Sequence, residues 1–210
     1  IANEPEIDDL ILYLNSAGAI IKEEKNKIII SKGLELIQKE SFTIMSDRNE
    51  LVTYATLAVA SRGDVTIGPI DEKLISSFLE IMRQAGAGVE EISNYKYRFF
   101  YKSEIKPINI ETSPHPGFMT DWQPSGAILM LKANGESIIH ERVFENRFSY
   151  VEELKKLGAK IDFVNIAVEN PEIFYHFNHE KDKKYQQTIK IQGNSELKNA
   201  ILNISDLRAG

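Results

Sequence analysis

The 210-residue chain contains no cysteine, which excludes a disulfide framework, a thiolate metal site and a thiol nucleophile among these residues. Long apolar runs are also missing. Leu10–Leu14 and Ile128–Leu131 fall far short of the ~20 residues that span a bilayer. No basic excess is present: 25 Lys and Arg face 31 Asp and Glu, a formal charge of -6, so nucleic acid and anionic membranes are not expected partners. The N-terminus lacks the basic region and apolar block of a signal peptide, and the reading is a soluble cytoplasmic protein or a piece of one. What the chain does have is 42% hydrophobic content, enough for a core and against global disorder.

The strongest pattern is an internal repeat. Three stretches, Leu10–Ala19, Phe78–Ala87 and Tyr150–Ala159, read as amphipathic helices ending in Gly-Ala, with Leu14, Met82 and Leu154 at the same place before it. Their glycines, Gly18, Gly86 and Gly158, suit a left-handed helix closure, after which strand-like segments follow at Ile28–Ser31, Tyr97–Tyr101 and Lys160–Val164. Upstream of the second and third copies lie Leu51–Ala60 and Ala127–Lys132, apolar on most sides as an inner helix should be. Each runs into a glycine, Gly63 or Gly135, and a short β-branched strand, and Phe42–Met45 reads as an entering strand. The expectation is an α/β unit of about 70 residues ordered helix, strand, helix, strand, strand. Glu4-Pro5-Glu6 reads as the start of the first amphipathic helix, and Ser205–Gly210 as the opening of a further inner helix, so both ends fall inside a unit.

Aligned on the inner helices, the units open with Asp47-Arg48, Asp121-Trp122 and Asp206-Leu207-Arg208. An acid there has an ordinary role as helix cap, which is the expectation for Asp47 and Asp206. Asp121 differs in context, because two prolines and a glycine in Ser113–Pro124 shape an extended loop that can hold a carboxylate and the imidazole of His115 in a cleft.

That loop, PHPGFMTDWQ, together with ERVFENRF at Glu141–Phe148, SDRNE at Ser46–Glu50, SRG at Ser61–Gly63, EPEI at Glu4–Ile7 and DLRAG at the end, resembles the enolpyruvyl transferases of the UDP-N-acetylglucosamine 1-carboxyvinyltransferase type. The resemblance runs over almost all of the chain. It implies an inside-out α/β barrel built of βαβαββ repeats, helices inside and sheets outside, incomplete at both ends. Residues 1–45 would close one domain, and 46–210 would form most of a second.

The implied reaction adds the 3-hydroxyl of UDP-N-acetylglucosamine to phosphoenolpyruvate and then eliminates phosphate, a step in peptidoglycan precursor synthesis. By the same resemblance Asp121 is the base candidate at the sugar hydroxyl. Val143 lies where the backbone holds the sugar nucleotide, and Arg147 and Arg208 lie near the reacting phosphate and carboxylate, where a guanidinium gives planar two-point contacts. Arg48 and His115 are further candidates, with structural roles equally open. No cofactor and no metal are implied.

The family's lysine for phosphoenolpyruvate and its loop cysteine belong to a preceding segment, so this chain alone is expected to be inactive. A relative with another acceptor, such as shikimate 3-phosphate, and a non-catalytic sugar-nucleotide-binding or assembly module are the alternatives. An insertion of about twenty residues between Val168 and Ser195 is expected to be a solvated hairpin tip, with Lys181, Lys183 and Lys184 as surface charge. His176 and His179 within it are a weak metal pair. Finally, the apolar side of the first helix, Ile7, Leu10, Ile11 and Leu14, is expected to seek cover, by self-association or by docking within the chain.

Overall fold

In a computed structural model of the chain, the described residues are 4–25, 27–31, 33 and 35–203. The chain divides into two compact units, residues 1–46 and 47–210.

The smaller unit holds one helix and one hairpin. Helix α1 (Pro5–Ser16) starts at Glu4-Pro5, where the fixed φ of proline suits a first helical turn. It is followed by the antiparallel pair β1 (Ile20–Glu24) and β2 (Lys27–Ser31). None of the residues of α1 is fully buried, and Leu10, Leu12 and Ile30 are well exposed. The strand expected over Phe42–Met45 does not form. Extended backbone counts as a strand only where it finds a ladder partner, and none is present among the described residues. Phe42 instead meets the ring of Tyr13 edge-on at 5.3 Å, and the Met45 N–H donates to the Asp9 carboxylate at 3.4 Å.

The larger unit contains two copies of the repeat. The first runs α2 (Arg48–Ala60), β3 (Asp64–Ile67), α3 (Ser76–Gln84), β4 (Gly88–Ser93) and β5 (Lys96–Phe100), with strand order β3-β5-β4, all antiparallel. The second adds an entering strand β6 (Asn109–Glu111), then α4 (Gln123–Leu131), β7 (Glu136–His140), α5 (Tyr150–Lys156), β8 (Lys160–Phe163), a short helix α6 (Pro171–Phe174) and β9 (Thr188–Gln192). Its sheet order is β6-β7-β9-β8, with β6 parallel to β7. The helix, strand, helix, strand, strand order read from the sequence is the one observed. The described residues form separate sheets and not a closed barrel.

The Gly-Ala signature has a direct physical origin. Gly18, Gly86 and Gly158 sit at φ of 109°, 84° and 96°, conformations that side chains rarely adopt. The following alanine N–H then donates back to the carbonyl of Leu14, Met82 or Leu154, at 3.0, 3.0 and 3.1 Å. Those carbonyls would otherwise be orphans of the helix end, and the bond turns the chain into its strand. One residue before each glycine, the carbonyls of Ala17, Ala85 and Leu157 accept from the N–H of Ile37, Lys106 and Lys198. These donors lie 20, 21 and 41 residues further along, so the third copy carries about twenty extra residues between equivalent points.

Helices α2 and α4 contact one another at the centre of the larger unit. Leu51, Val52, Ala55, Val59, Ala127, Leu129, Met130 and Leu131 are almost fully buried, with Phe99, Ile139, Ile189 and Ile191 facing them from the strands. Burying each such aliphatic side chain is worth about 1.5–3 kcal/mol, which is why two helices of low polarity sit inside. Their cover is incomplete, since Tyr54 and Leu57 on α2 and Ile128 on α4 remain exposed.

The extra residues lie at 164–187, between β8 and β9, and not between Val168 and Ser195 as expected, because Thr188–Gln192 is a paired strand of the sheet; nor are they a plain solvated tip. They leave β8 and return at β9, but between these strands they fold back over the sheet. The rings of Tyr175, Phe177, His179 and Tyr185 form a partly buried cluster, with Tyr175 and His179 stacked at 5.4 Å. His140 on β7 joins it, its Nε2 lying 3.1 Å from the Tyr175 hydroxyl and its ring against Phe174. Arg142 donates to the Phe174 carbonyl and to Glu111, and covers the Phe174 ring. His176 is exposed and the His179 ring is engaged in stacking, so the two do not converge as a ligand pair. No metal-binding cluster occurs among the described residues. Lys181 and Lys183 make exposed pairs with Glu172 and Glu145.

Burial pushes the His140 imidazole below its ordinary value of 6.5, an effect that Glu111 opposes and Arg142 reinforces. Because the folded value is depressed, the stability this docking supplies is present above 6.5 and is lost as pH falls, when the undocked imidazole takes up a proton first. The protection factors of the Phe174 and Tyr175 amides, which are corrected for the slowing of intrinsic exchange with acid, are therefore expected to fall between about pH 7.5 and about pH 5.5, and His140→Phe should flatten that response. A response unchanged in His140→Phe would show that another group governs the docking.

Candidate active site

Two loops build the candidate site. The first, Ser113–Met119, is pinned by the Ser113 N–H to the Phe118 carbonyl at 2.8 Å and by Gly117 N–H to the Pro114 carbonyl at 2.8 Å. Gly117 is required here, since a Cβ would lie 2.4 Å from that of Ser113. The loop runs into a 3-10 turn, Thr120–Trp122, from which α4 departs. Trp122 anchors the turn. It is buried, meets Phe118 at 5.6 Å and Phe78 at 6.0 Å, and donates its indole N–H to the Asn49 side chain at 2.8 Å.

With Trp122 turned inward, Asp121 faces outward, its side chain 44% exposed. It does not cap α4. Asp47, the aligned acid of the preceding unit, does cap its helix, accepting from the Asn49 and Glu50 N–H groups at 2.8 and 3.2 Å. Equivalent positions in the repeat thus do different work.

The second loop, 141–149, brings Arg147 to Asp121. Arg147 donates through one nitrogen to the Asp121 carboxylate and through another to the Thr120 hydroxyl at 2.8 Å, while Phe144 lies 5.2 Å beneath its guanidinium. Its side chain is only 10% exposed, so the charge is delivered to the edge of the cleft by a held arm. Gln187, at the end of the extra segment, fixes this loop by donating to the Glu141 and Phe144 carbonyls, each at 2.9 Å, and accepting from the Asn146 N–H at 2.6 Å. Val143 is present as expected, but its N–H is spent on the Glu141 carboxylate at 2.7 Å. What it has left for a ligand is its carbonyl.

Arg48 and His115 come together as well, with Arg48 Nη1 3.0 Å from His115 Nδ1. Arg48 is 1% exposed and lies 5.9 Å from the Trp122 ring, a place from which it steadies the first loop. Arg208 and Asp206 lie outside the described residues.

Sequence reasoning missed Glu141, Gln123 and Thr120. Glu141 is fully buried, and accepts from Thr120, Gln123, Val143 and Phe144. Tyr150 closes the network by donating to Gln123 at 2.9 Å. Burial and the nearby Glu141 both push the Tyr150 phenol well above its ordinary value, so it remains a hydrogen-bond donor.

The fold and this pair of loops place the molecule among α/β proteins of enolpyruvyl transferase architecture. The enolpyruvyl transferase NikO from Streptomyces tendae superposes with a TM-score of 0.72 over 98% of this chain and 44% of that one, at 22% identity, a likeness of fold. The family model for EPSP synthase (3-phosphoshikimate 1-carboxyvinyltransferase) matches residues 1–210, and the chain belongs to that family. Among curated relatives, the UDP-N-acetylglucosamine 1-carboxyvinyltransferase of Protochlamydia amoebophila is 33% identical over 210 residues, and UDP-N-acetylglucosamine 1-carboxyvinyltransferase 1 of Clostridium perfringens 36% identical over 211. All of this chain is matched, while it spans 44% and 45% of the length of those two relatives.

Proposed function

We propose that the gene product containing this chain transfers the enolpyruvyl group of phosphoenolpyruvate to the 3-hydroxyl of UDP-N-acetylglucosamine, in the cytoplasm, as a step of peptidoglycan precursor synthesis. The observation that carries this reading is the outward-facing Asp121 held by Arg147, in a chain matched end to end by relatives of that name. In this reading Asp121 takes the proton of the attacking hydroxyl as the hydroxyl oxygen bonds to the enol carbon, while the π pair of the enol takes a proton at the methylene carbon from an acid on the opposing wall; loss of a proton from the resulting methyl group then expels phosphate and restores the vinyl group. Arg147, with Arg208, offsets charge on the phosphate that later leaves. The Val143 carbonyl accepts from the sugar nucleotide, and Arg48 and His115 hold the loop that carries Asp121. The chain contributes one wall of the site, within a barrel of βαβαββ units. The opposing wall is supplied by the part of the family that these residues do not represent, and residues 1–210 alone do not turn over.

Phosphate release by the full-length gene product tests this reading, with UDP-N-acetylglucosamine and shikimate 3-phosphate offered separately. Release only with the sugar nucleotide is expected. Release only with shikimate 3-phosphate favours the acceptor named in the family description, and release with neither favours a non-catalytic role. The uncovered side chains of the smaller unit, Leu10, Leu12 and Ile30 among them, lead to a further expectation for residues 1–210 in isolation. They should self-associate through the Leu10–Leu14 region or bury it internally. Sedimentation showing a monomer in which the amides of that region exchange freely would refute this.

A further inference from the structure

Glu141 is a carboxylate in a place where burial alone calls for none. It is fully buried, and four donors converge on it: the N–H groups of Val143 and Phe144 at 2.7 and 3.0 Å on Oε1, the Thr120 hydroxyl at 2.8 Å and the Gln123 amide at 2.5 Å on Oε2. None of the four is cationic. An ionised carboxyl group is the one side chain that accepts at all four points without presenting a donor of its own. Keeping such a group out of water is costly, and the cost is offset only when its lone pairs are filled, as they are here.

The two oxygens serve different loops. Oε1 gathers the loop that carries Val143, Phe144 and Arg147, and Oε2 gathers the turn that carries Asp121. The Thr120 hydroxyl has one proton. Because it is given to Glu141, a lone pair is left facing Arg147 Nη1, which donates to it at 2.8 Å while the other terminal nitrogen reaches Asp121. The direction of the Thr120 proton therefore sets where the guanidinium rests.

The geometry points to Glu141 as a positioning residue: it clamps the two loops in register and, through Thr120, fixes Arg147 against Asp121. The inference rests on the proposed reaction for its kinetic consequence, and on the hydrogen-bond network alone for its structural one. A misplacement of reacting groups by about 1 Å is worth roughly 10²-fold in rate, so the clamp acts on turnover more than on affinity.

The test compares Glu141→Gln with wild type in the full-length gene product. Glutamine fills the same volume and can keep its oxygen on the two backbone N–H groups. Its NH2 must then face Thr120 and Gln123, which reverses the Thr120 proton. The expected result is a fall in kcat of about 10- to 100-fold with KM for the acceptor changed by less than about threefold, in a protein that is destabilised but still fully folded at the assay temperature. Amide exchange at Trp122, in the turn across the clamp, should accelerate, and Glu141→Asp, which keeps the acceptor but is one methylene short, should fall between. A kcat within about twofold of wild type in Glu141→Gln would overturn the inference, as would a loss that merely follows the melting midpoint. If the wild-type protein transfers no enolpyruvyl group, it is the proposed function that fails. Exchange at Trp122 then decides the clamp, acceleration in Glu141→Gln supporting it and unchanged exchange refuting it.

Discussion

Replacing Asp121 by asparagine in the full-length gene product is expected to lower kcat by about 10²–10⁴-fold, because an amide has no basicity with which to accept the hydroxyl proton. The substitution is nearly isosteric, and the backbone of the turn is held by Trp122 and by the Thr120–Glu141 bond and not by the Asp121 side chain. Folding should thus be preserved and KM for the sugar nucleotide changed far less than kcat. Asp47→Asn is the matched control. It stands at the equivalent place in the repeat, but its carboxylate is spent on the Asn49 and Glu50 N–H groups, a task asparagine performs about as well. Kinetics of the two variants side by side check the assignment, and equal, small losses in both would remove Asp121 from the chemistry.

The largest stability effect is expected at Trp122. Truncation to alanine removes a buried indole that touches Phe78 and Phe118, leaves the Asn49 side chain without its donor, and takes away the ring beneath the buried Arg48 guanidinium. Phe/Trp→Ala changes in cores cost about 3–5 kcal/mol, and the loss of the hydrogen bond pushes this site toward the upper end. Trp122→Phe should recover much of the packing without the Asn49 bond. Urea unfolding read by circular dichroism gives the comparison. A loss below about 1 kcal/mol for Trp122→Ala would mean that the turn is not anchored through this ring.

Local chemistry could be read. Glycine before alanine after an amphipathic run specifies a helix closure, and the three closures form through the carbonyls of Leu14, Met82 and Leu154, the residues the alignment singled out. The approximate length of the extra segment could also be read, by comparison with ordinary loop lengths. Its conformation could not. A ring cluster folding back on His140 depends on which side chains a sheet presents, and sequence spacing carries no record of that. The strand expected at Phe42–Met45 failed for a related reason, since β-propensity says nothing of whether a partner edge is at hand.

In the candidate site, Asp121 stood out through the prolines around it, and the motif that carries Arg147 through its resemblance. Glu141 lay inside the same quoted motif and passed unnoticed. A carboxylate among exposed charges reads as surface until the backbone N–H groups of Val143 and Phe144 are seen to turn toward it. For Arg48 the sequence left binding and structural roles equally open, and the structure shows it buried beside Trp122 and His115.

The measurement closest to the central claim is proton NMR of the full-length gene product incubated with phosphoenolpyruvate and UDP-N-acetylglucosamine, wild type beside Asp121→Asn. The account predicts that the wild-type protein forms a product in which the two vinylic protons of an enol ether are attached to the sugar nucleotide, with phosphate released mole for mole. It predicts that Asp121→Asn forms that product at about 1% of the wild-type rate or less. Product formation by Asp121→Asn at an undiminished rate, or phosphate released by the wild type with no enol ether on the sugar, would contradict it.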